Sequence, residues 1–257
     1  MAAAVKHDRD FKLAYAVLAL AFWVSVGGFT YLMTRGDAEA ARPWSAWRPQ
    51  SEDLAGAREI ARHVAPAYRA DTGRQLVAIQ EHPPRIQGLD LEAIGVRTKT
   101  SKGFIDPYIS LFGARRTLIY AFCGLAQNCS VPGTHTDERE HLLRREALEL
   151  TLYSFKYLDG IDTVVSLLPP TGSEASRGVF FRKEHVEDLL ERPIRATLPN
   201  ATPPFESSYT GSEASFVENV TARRVFPASF EALPDGDAIL VLELGGSESG
   251  AGSSDER

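Results

Sequence analysis

Three consecutive stretches of the chain decide the fold: TLIYAFC at 117–123, DEREHLLRREALELTLYSFKY at 137–157 and IDTVVSLL at 161–168. The first and the last are short apolar runs of the kind that form buried strands. The middle stretch has apolar residues at helical spacing and follows Thr136, a residue type that caps helix N-termini well. A strand, a long helix and another strand in this order predict two parallel strands that the helix connects.

The flanking sequence extends this βαβ unit into an α+β (or α/β) domain with a mixed sheet. Further strands are predicted at 75–80, 89–98 and 178–182, and further helices at 52–69 (capped by Ser51, with Pro66 as its kink or end) and 184–191. A C-terminal hairpin is predicted from strands at 221–226 and 238–244, joined by the turn Pro234-Asp-Gly-Asp.

Charged residues alternate in sign along the long helix. The carboxylates are Glu138, Glu140, Glu146 and Glu149, and the guanidinium groups are Arg139, Arg144 and Arg145. Glutamate and arginine three or four residues apart on a helix form surface ion pairs. The pattern therefore predicts a solvated helix face.

The hexapeptide TGSEAS occurs twice, at 171–176 and at 210–215. Each copy contains T-x-x-E, the spacing at which a hydroxyl and a carboxylate cap the first turn of a helix. The similarity ends with these six residues, so an internal domain duplication is not indicated.

The segment Leu13–Met33 (LAYAVLALAFWVSVGGFTYLM) is an uncharged run of 21 residues. As a helix it would be roughly 31 Å long, enough to cross the hydrocarbon core of a bilayer. A cleaved signal peptide with its cleavage site at Ala38-Glu39-Ala40 is the alternative, but the apolar run is longer than such peptides usually have. We expect an uncleaved signal anchor.

The predicted organisation has five segments: a cytoplasmic N-terminus at 1–12, a transmembrane signal anchor at 13–33, a juxtamembrane linker at 34–50, an extracytoplasmic domain at 51–244 and a disordered tail at 245–257. Basic residues near the two ends of the span are equal in number, so sidedness rests on other features. One of them is the pair of cysteines. Trp44 and Trp47 in the linker either lie at the membrane interface or pack under the domain.

Cys123 and Cys129 are the only cysteines of the chain. In an oxidising compartment they are expected to form a disulfide that closes a short loop. Two alternatives use the same residues. Cys123, Cys129, His135 and His141 could bind zinc, although their spacing is looser than in known structural sites. A redox site is the other alternative, but it lacks the C-x-x-C spacing of thioredoxin-like proteins.

The formal net charge is −6 and there is no basic run, so nucleic acid is not an expected partner. Phosphate-loop, nucleophile-elbow and H-E-x-x-H motifs are missing from the sequence, and no catalytic residue or cofactor is predicted. Asp235 and Asp237 alone do not have the ligand spacing of a calcium loop.

The sequence favours a non-enzymatic, single-pass membrane protein of the cell envelope whose external domain binds or scaffolds a protein partner. The alternative is an envelope enzyme whose active site forms only in three dimensions, with candidate residues Asp106, Tyr108, Arg115, Arg116 and His135.

Overall fold

The computed structural model describes Tyr15 and residues 17–28, 43–82, 85–86, 89–97, 109–170 and 176–243. The chain divides into two compact units, Met1–Ala46 and Trp47–Arg257, and each is described by itself.

In the first unit, residues 17–28 are helical and their apolar side chains are exposed, with Trp23 at 72%. The predicted span 13–33 extends beyond the described residues at both ends. Among the helices that the structure describes, none combines the length and the apolar character needed to cross a membrane.

The described part of the second unit contains one mixed sheet of nine strands: β1 Val77–His82, β2 Arg85–Ile86, β3 Leu89–Val96, β4 Ser110–Gly113, β5 Thr117–Gly124, β6 Thr163–Leu168, β7 Arg177–Arg182, β8 Val225–Ala232 and β9 Ala238–Leu242. Their order is β1-β5-β6-β7-β8-β9-β3-β2, and β4 pairs with β3. Two pairs, β5–β6 and β3–β9, are parallel, and the other pairs are antiparallel.

Five helices accompany the sheet in the described residues: α1 Leu54–Val64, α2 Asp137–Tyr157, α3 Glu187–Leu190, α4 Ile194–Thr197 and α5 Ser212–Thr221. The domain is therefore α+β with a mixed sheet, as predicted. Helix α2 connects β5 to β6, which lie side by side and parallel. The C-terminal hairpin is β8–β9, but its first strand starts at Val225 and not at residue 221, because residues 212–224 are helical.

Helices α1 and α2 each begin after a residue whose side chain caps the first turn. The Thr136 hydroxyl accepts a hydrogen bond from the backbone N–H of Arg139 at 3.2 Å, as the sequence predicts for the start of α2. Helix α1 is capped by Asp53, whose carboxylate accepts from the Ala55 N–H at 2.9 Å, so the predicted Ser51 cap is wrong.

The second TGSEAS copy starts helix α5 without the predicted capping box. The N-cap residue is Gly211, with φ of 89° and no side-chain cap, and Glu213 is buried against α2. The Thr210 capping prediction is therefore wrong. Most of the first copy lies outside the described residues.

Helix α2 is the centre of the domain, because it contacts α1, α5, β6 and β7 and is buried on all sides. The predicted solvated face is wrong. Glu140, Arg145, Glu146 and Glu149 are all at most 5% exposed. Several other elements thus cover the helix face that the alternating charges predicted to be exposed to solvent.

The side chains of β5 alternate between two cores. The hydroxyl groups of Tyr120 and Ser154 of α2 lie 2.9 Å apart, which places Tyr120 on the helix side of the sheet. Its neighbour Ile119 belongs to a second apolar cluster with Ile94 of β3 and Phe180 of β7. Because β3 and β5 are far apart in strand order, the sheet curls around this second cluster.

Candidate ligand-binding groove

A small groove of about 210 Å³ opens at the edge of the second core, between β4, β7 and the turn that follows α5. Its apolar floor consists of three phenylalanines. The ring of Phe180 lies 5.3 Å from that of Phe112 and 6.5 Å from that of Phe226 in an edge-to-face arrangement. Phe180 and Phe226 are 4% exposed, whereas Phe112 is only half-buried. Phe112 therefore offers ring surface to a ligand.

Three arginines also line this groove: Arg182, Arg223 and Arg224. The guanidinium carbon of Arg182 lies 5.0 Å from the centre of the Phe112 ring, and its Nη1 pairs with Glu184 at 2.5 Å. Both partners of this ion pair are more than a third exposed, so the pair neutralises Arg182 only weakly. None of the described residues that line the groove carries a carboxylate.

Arg224 is the half-buried cation of the groove. Its Nε donates to the Val220 carbonyl at 3.0 Å, and its guanidinium carbon lies 5.4 Å from the centre of the Phe181 ring. Burial lowers the pKa of Arg224. Among the described residues no carboxylate forms a salt bridge with Arg224 or with its exposed neighbour Arg223. Within the described part of the chain, no carboxylate thus offsets the desolvation of this cation.

His185 lines the same groove and donates no charge to it at neutral pH. Burial lowers the pKa of His185, Arg224 and Arg182 lower it further, and Glu184 partly opposes them. The His185 Nδ1 accepts a hydrogen bond from the Arg182 backbone N–H at 3.1 Å, so the proton of the neutral ring is on Nε2. The groove therefore combines an apolar floor with hydrogen-bond donors and positive charge.

A second cavity of about 440 Å³ adjoins this groove and shares Phe112 and Arg182 with it. It contains the candidate residues Arg115 and Arg116. Arg116 Nε pairs with Asp162 at 2.9 Å, a pair that is largely exposed. Glu92 and Asp162 also line this cavity, so its lining is of mixed charge.

The third candidate region is a cavity of about 480 Å³ beside the cysteine loop, lined in part by His135. The structure pairs Cys123 with Cys129 in a disulfide. The loop folds tightly, since a Cβ at Gly124 would lie 2.2 Å from the Ser130 carbonyl oxygen. Asn128 and Cys129 both have positive φ angles, of 53° and 59°. The disulfide closes a backbone conformation that these residues rarely adopt on their own.

The four residues of the zinc alternative are engaged elsewhere. The disulfide leaves Cys123 and Cys129 without the thiolates that bind zinc. His141 Nε2 lies 3.0 Å from Glu218, and His135 Nε2 lies 3.9 Å from Glu140.

The enzyme candidates do not meet in one cavity of the described structure. His135 lines the loop cavity, whereas Arg115 and Arg116 line the cavity beside the groove. Asp106 and Tyr108 lie outside the described residues, as does the predicted tail at 245–257.

Glu92 joins Asp235 and Asp237 in the folded chain, and their carboxylate oxygens lie within 4.8 Å of one another. Sequence spacing could not show this, because Glu92 is on β3 and the aspartates are in the β8–β9 turn. Glu92 and Asp235 are exposed and Asp237 is half-buried, an arrangement common on protein surfaces without a bound ion.

Arg145 is the centre of a buried polar network, and its side chain is 0% exposed. Its guanidinium donates to Glu213, to the Tyr68 hydroxyl, to Glu149 at 3.0 Å and to the Asn200 carbonyl at 2.6 Å. Burial by itself lowers the pKa of Arg145, but Tyr68, Glu149 and Glu213 raise it by more, so its pKa lies above the ordinary value. The network thus joins α2 to Tyr68, to Asn200 and to α5.

Glu146 is buried beside this network, and neither of its carboxyl oxygens has a hydrogen-bond partner among the described residues. Burial and the nearby Glu149 raise the pKa of Glu146 well above its ordinary value, and Arg145 only partly opposes them. The side chain is therefore protonated and neutral at low and moderate pH.

Sequence reasoning missed the groove entirely. Its phenylalanines and arginines come from three separated segments, near residues 112, 180–182 and 224, and β4 was not predicted. The one local sequence signal for the groove is the adjacent pair Arg223-Arg224 before an apolar strand. Because pairs of arginines are common on protein surfaces, this signal does not predict a binding site. No protein-family model, curated protein or solved structure matches this chain.

Proposed function

We propose that this protein is a single-pass, membrane-anchored extracytoplasmic domain with a binding role in the cell envelope, and that the phenylalanine–arginine groove is its binding site. The observation that carries the proposal is Arg224. This half-buried cation has no carboxylate partner among the described residues and lies in a groove with an apolar floor. A bound anion would supply the missing charge.

Two features support the membrane anchor and its sidedness. The uncharged run Leu13–Met33 has the length of a transmembrane helix. The disulfide between Cys123 and Cys129 supports an external location, because disulfides persist mainly in oxidising compartments outside the cytoplasm. The short N-terminus would then be cytoplasmic.

The first experiment tests the anchor and the sidedness together. Intact membranes are treated with an alkylating reagent before and after reduction, and the native protein is analysed by mass spectrometry. We expect an uncleaved chain in the membrane fraction in which Cys123 and Cys129 are alkylated only after reduction. Free thiols in intact membranes would contradict the external location, and a chain lacking its first forty residues would contradict the anchor.

The second experiment tests the binding role. Wild type and Arg224→Gln are purified from native membranes in nanodiscs and compared by native mass spectrometry, with Arg62→Gln as the control. Arg62 is exposed on α1, away from the groove. We expect a bound small molecule on the wild type and the control but not on Arg224→Gln. Equal occupancy of all three proteins would reject the groove as the binding site.

A further inference from the structure

We propose that the groove binds a small amphiphilic anion, a carboxylate or phosphate group attached to a short apolar chain or ring. The inference rests on the proposed function, because it names the ligand class of that same groove. The anionic group would contact the arginines and the apolar group would lie on the phenylalanines.

The requirement for negative charge comes from the balance of charges in the groove. Arg182, Arg223 and Arg224 line it together with neutral His185, while Glu184 pairs only with Arg182 in an exposed position. Guanidinium groups bind carboxylates and phosphates through paired, charge-assisted hydrogen bonds. A neutral ligand would leave the half-buried Arg224 without a counter-ion from either the ligand or the described residues.

The phenylalanine floor of the groove indicates that the ligand also carries an apolar group. Phe112 is half-buried, its ring is tilted against that of Phe180, and the guanidinium carbon of Arg182 lies 5.0 Å from its centre. An alkyl or aryl group placed on this ring would remove apolar surface from water, at about 25 cal/mol per Å². A fully hydrated anion such as acetate gains little from this surface.

The size of the groove limits the ligand. Its volume of about 210 Å³ is below the range of about 300–1,000 Å³ typical of pockets for drug-sized ligands. The net charge of −6 also disfavours an extended polyanion, which would be repelled by the rest of the domain. A small monomeric anion satisfies both limits.

The test uses the full chain in phosphatidylcholine nanodiscs, with empty nanodiscs as the blank, and calorimetric titration with four probes. Hexanoate and hexyl phosphate carry both groups, acetate lacks the apolar chain and hexanol lacks the charge. We expect both amphiphilic anions to bind at least about tenfold more tightly than acetate or hexanol, a difference of about 1.4 kcal/mol. The carboxylate and phosphate titrations also show which of the two head groups is preferred.

Variants locate the binding. Arg224→Gln should weaken hexanoate binding by about tenfold, and Phe112→Ala should do so without changing the weak binding of acetate. Arg62→Gln is the matched control and should bind like the wild type. Thermal unfolding of each variant shows whether it is folded, and Arg223→Gln provides a second, exposed groove variant.

The inference is overturned if hexanol or acetate binds as tightly as hexanoate, if no probe binds, or if the folded Arg224→Gln and Arg223→Gln variants both bind like the wild type. These outcomes can be distinguished from a failure of the proposed function. The proposed function is tested separately, by alkylation in intact membranes and by native mass spectrometry of the ligand bound to the natively purified protein. A domain that is external and carries a native ligand, but binds none of the amphiphilic probes, would refute the ligand class alone.

Discussion

Arg145 donates a hydrogen bond from its Nε to the carboxylate of Glu213, although the two residues are 68 positions apart in the sequence. Arg145 lies on α2 and Glu213 in the first turn of α5, so this ion pair joins the central helix to the segment that precedes the groove. The same carboxylate accepts from the Asn200 side-chain amide at 2.9 Å. One buried arginine thus fixes three separate parts of the chain.

Replacing Arg145 should be severely destabilising. In Arg145→Ala, Glu149 and Glu213 lose their buried cation, which costs about 3–5 kcal/mol of the free energy of unfolding. Urea unfolding of the variant measures this loss. Arg62→Ala removes an exposed guanidinium from α1 and should change stability by less than about 0.5 kcal/mol. A loss below about 1 kcal/mol in Arg145→Ala would mean that the network is not essential to the core.

Glu146 should make the domain less stable as the pH rises. The pKa of its carboxyl group is raised in the folded state. At a pH between the ordinary pKa and this raised pKa, Glu146 is protonated in the folded protein and ionised in the unfolded chain. The contribution of Glu146 to the free energy of unfolding is therefore largest below the ordinary pKa. Above that pH it falls by up to about 1.4 kcal/mol per pH unit.

Glu146→Gln tests this pH dependence, because the amide is uncharged at every pH. We expect urea unfolding of the variant between about pH 5 and pH 8 to show a flatter pH profile than the wild type and higher stability at the upper end. Parallel profiles for the two proteins would show that Glu146 does not titrate in this window.

Removing the disulfide should cost about 2 kcal/mol. The Cys123–Cys129 link constrains the unfolded chain over a short loop, and the chain-entropy estimate for such a loop is of this size. The double variant Cys123→Ser/Cys129→Ser, measured by thermal unfolding, should unfold at a lower temperature. Adding a reductant should lower the stability of the wild type and leave the double variant unchanged.

The affinity of the groove for hexanoate should rise as the pH falls below about 6.5, the ordinary pKa of histidine. Burial, Arg224 and Arg182 lower the pKa of His185, and Glu184 partly opposes them. Protonation of His185 adds a positive charge to the groove, while hexanoate stays largely ionised. The expected gain is about fivefold, or about 1 kcal/mol. His185→Gln should abolish this gain without removing the binding at pH 7.5.

Trp47 should stabilise the domain although it lies within the predicted linker. Its ring stacks on His63 with centroids 4.0 Å apart and contacts Tyr153 edge-on at 5.6 Å. Trp47→Ala should lose about 1–2 kcal/mol. It should also raise the pKa of His63, which burial now lowers, and an NMR titration of the imidazole follows that change.

The secondary structure of this domain could be predicted well wherever one element has its own periodic signal. The β5–α2–β6 unit is an example, since apolar runs, helical spacing and the Thr136 cap all lie within a few residues of the element that they specify. The β4 strand, with only four residues, has no such signal.

The sequence by itself determined the elements of the βαβ unit and the cap of its helix, because these depend on neighbours along the chain. Only the tertiary structure decided which charged residues are buried and which residues meet in the groove. Glu149 and Arg145 have the spacing of a surface ion pair, but α5 and Tyr68 cover them. Burial depends on which distant segments pack over a residue, and that information is not contained in the residue's local sequence.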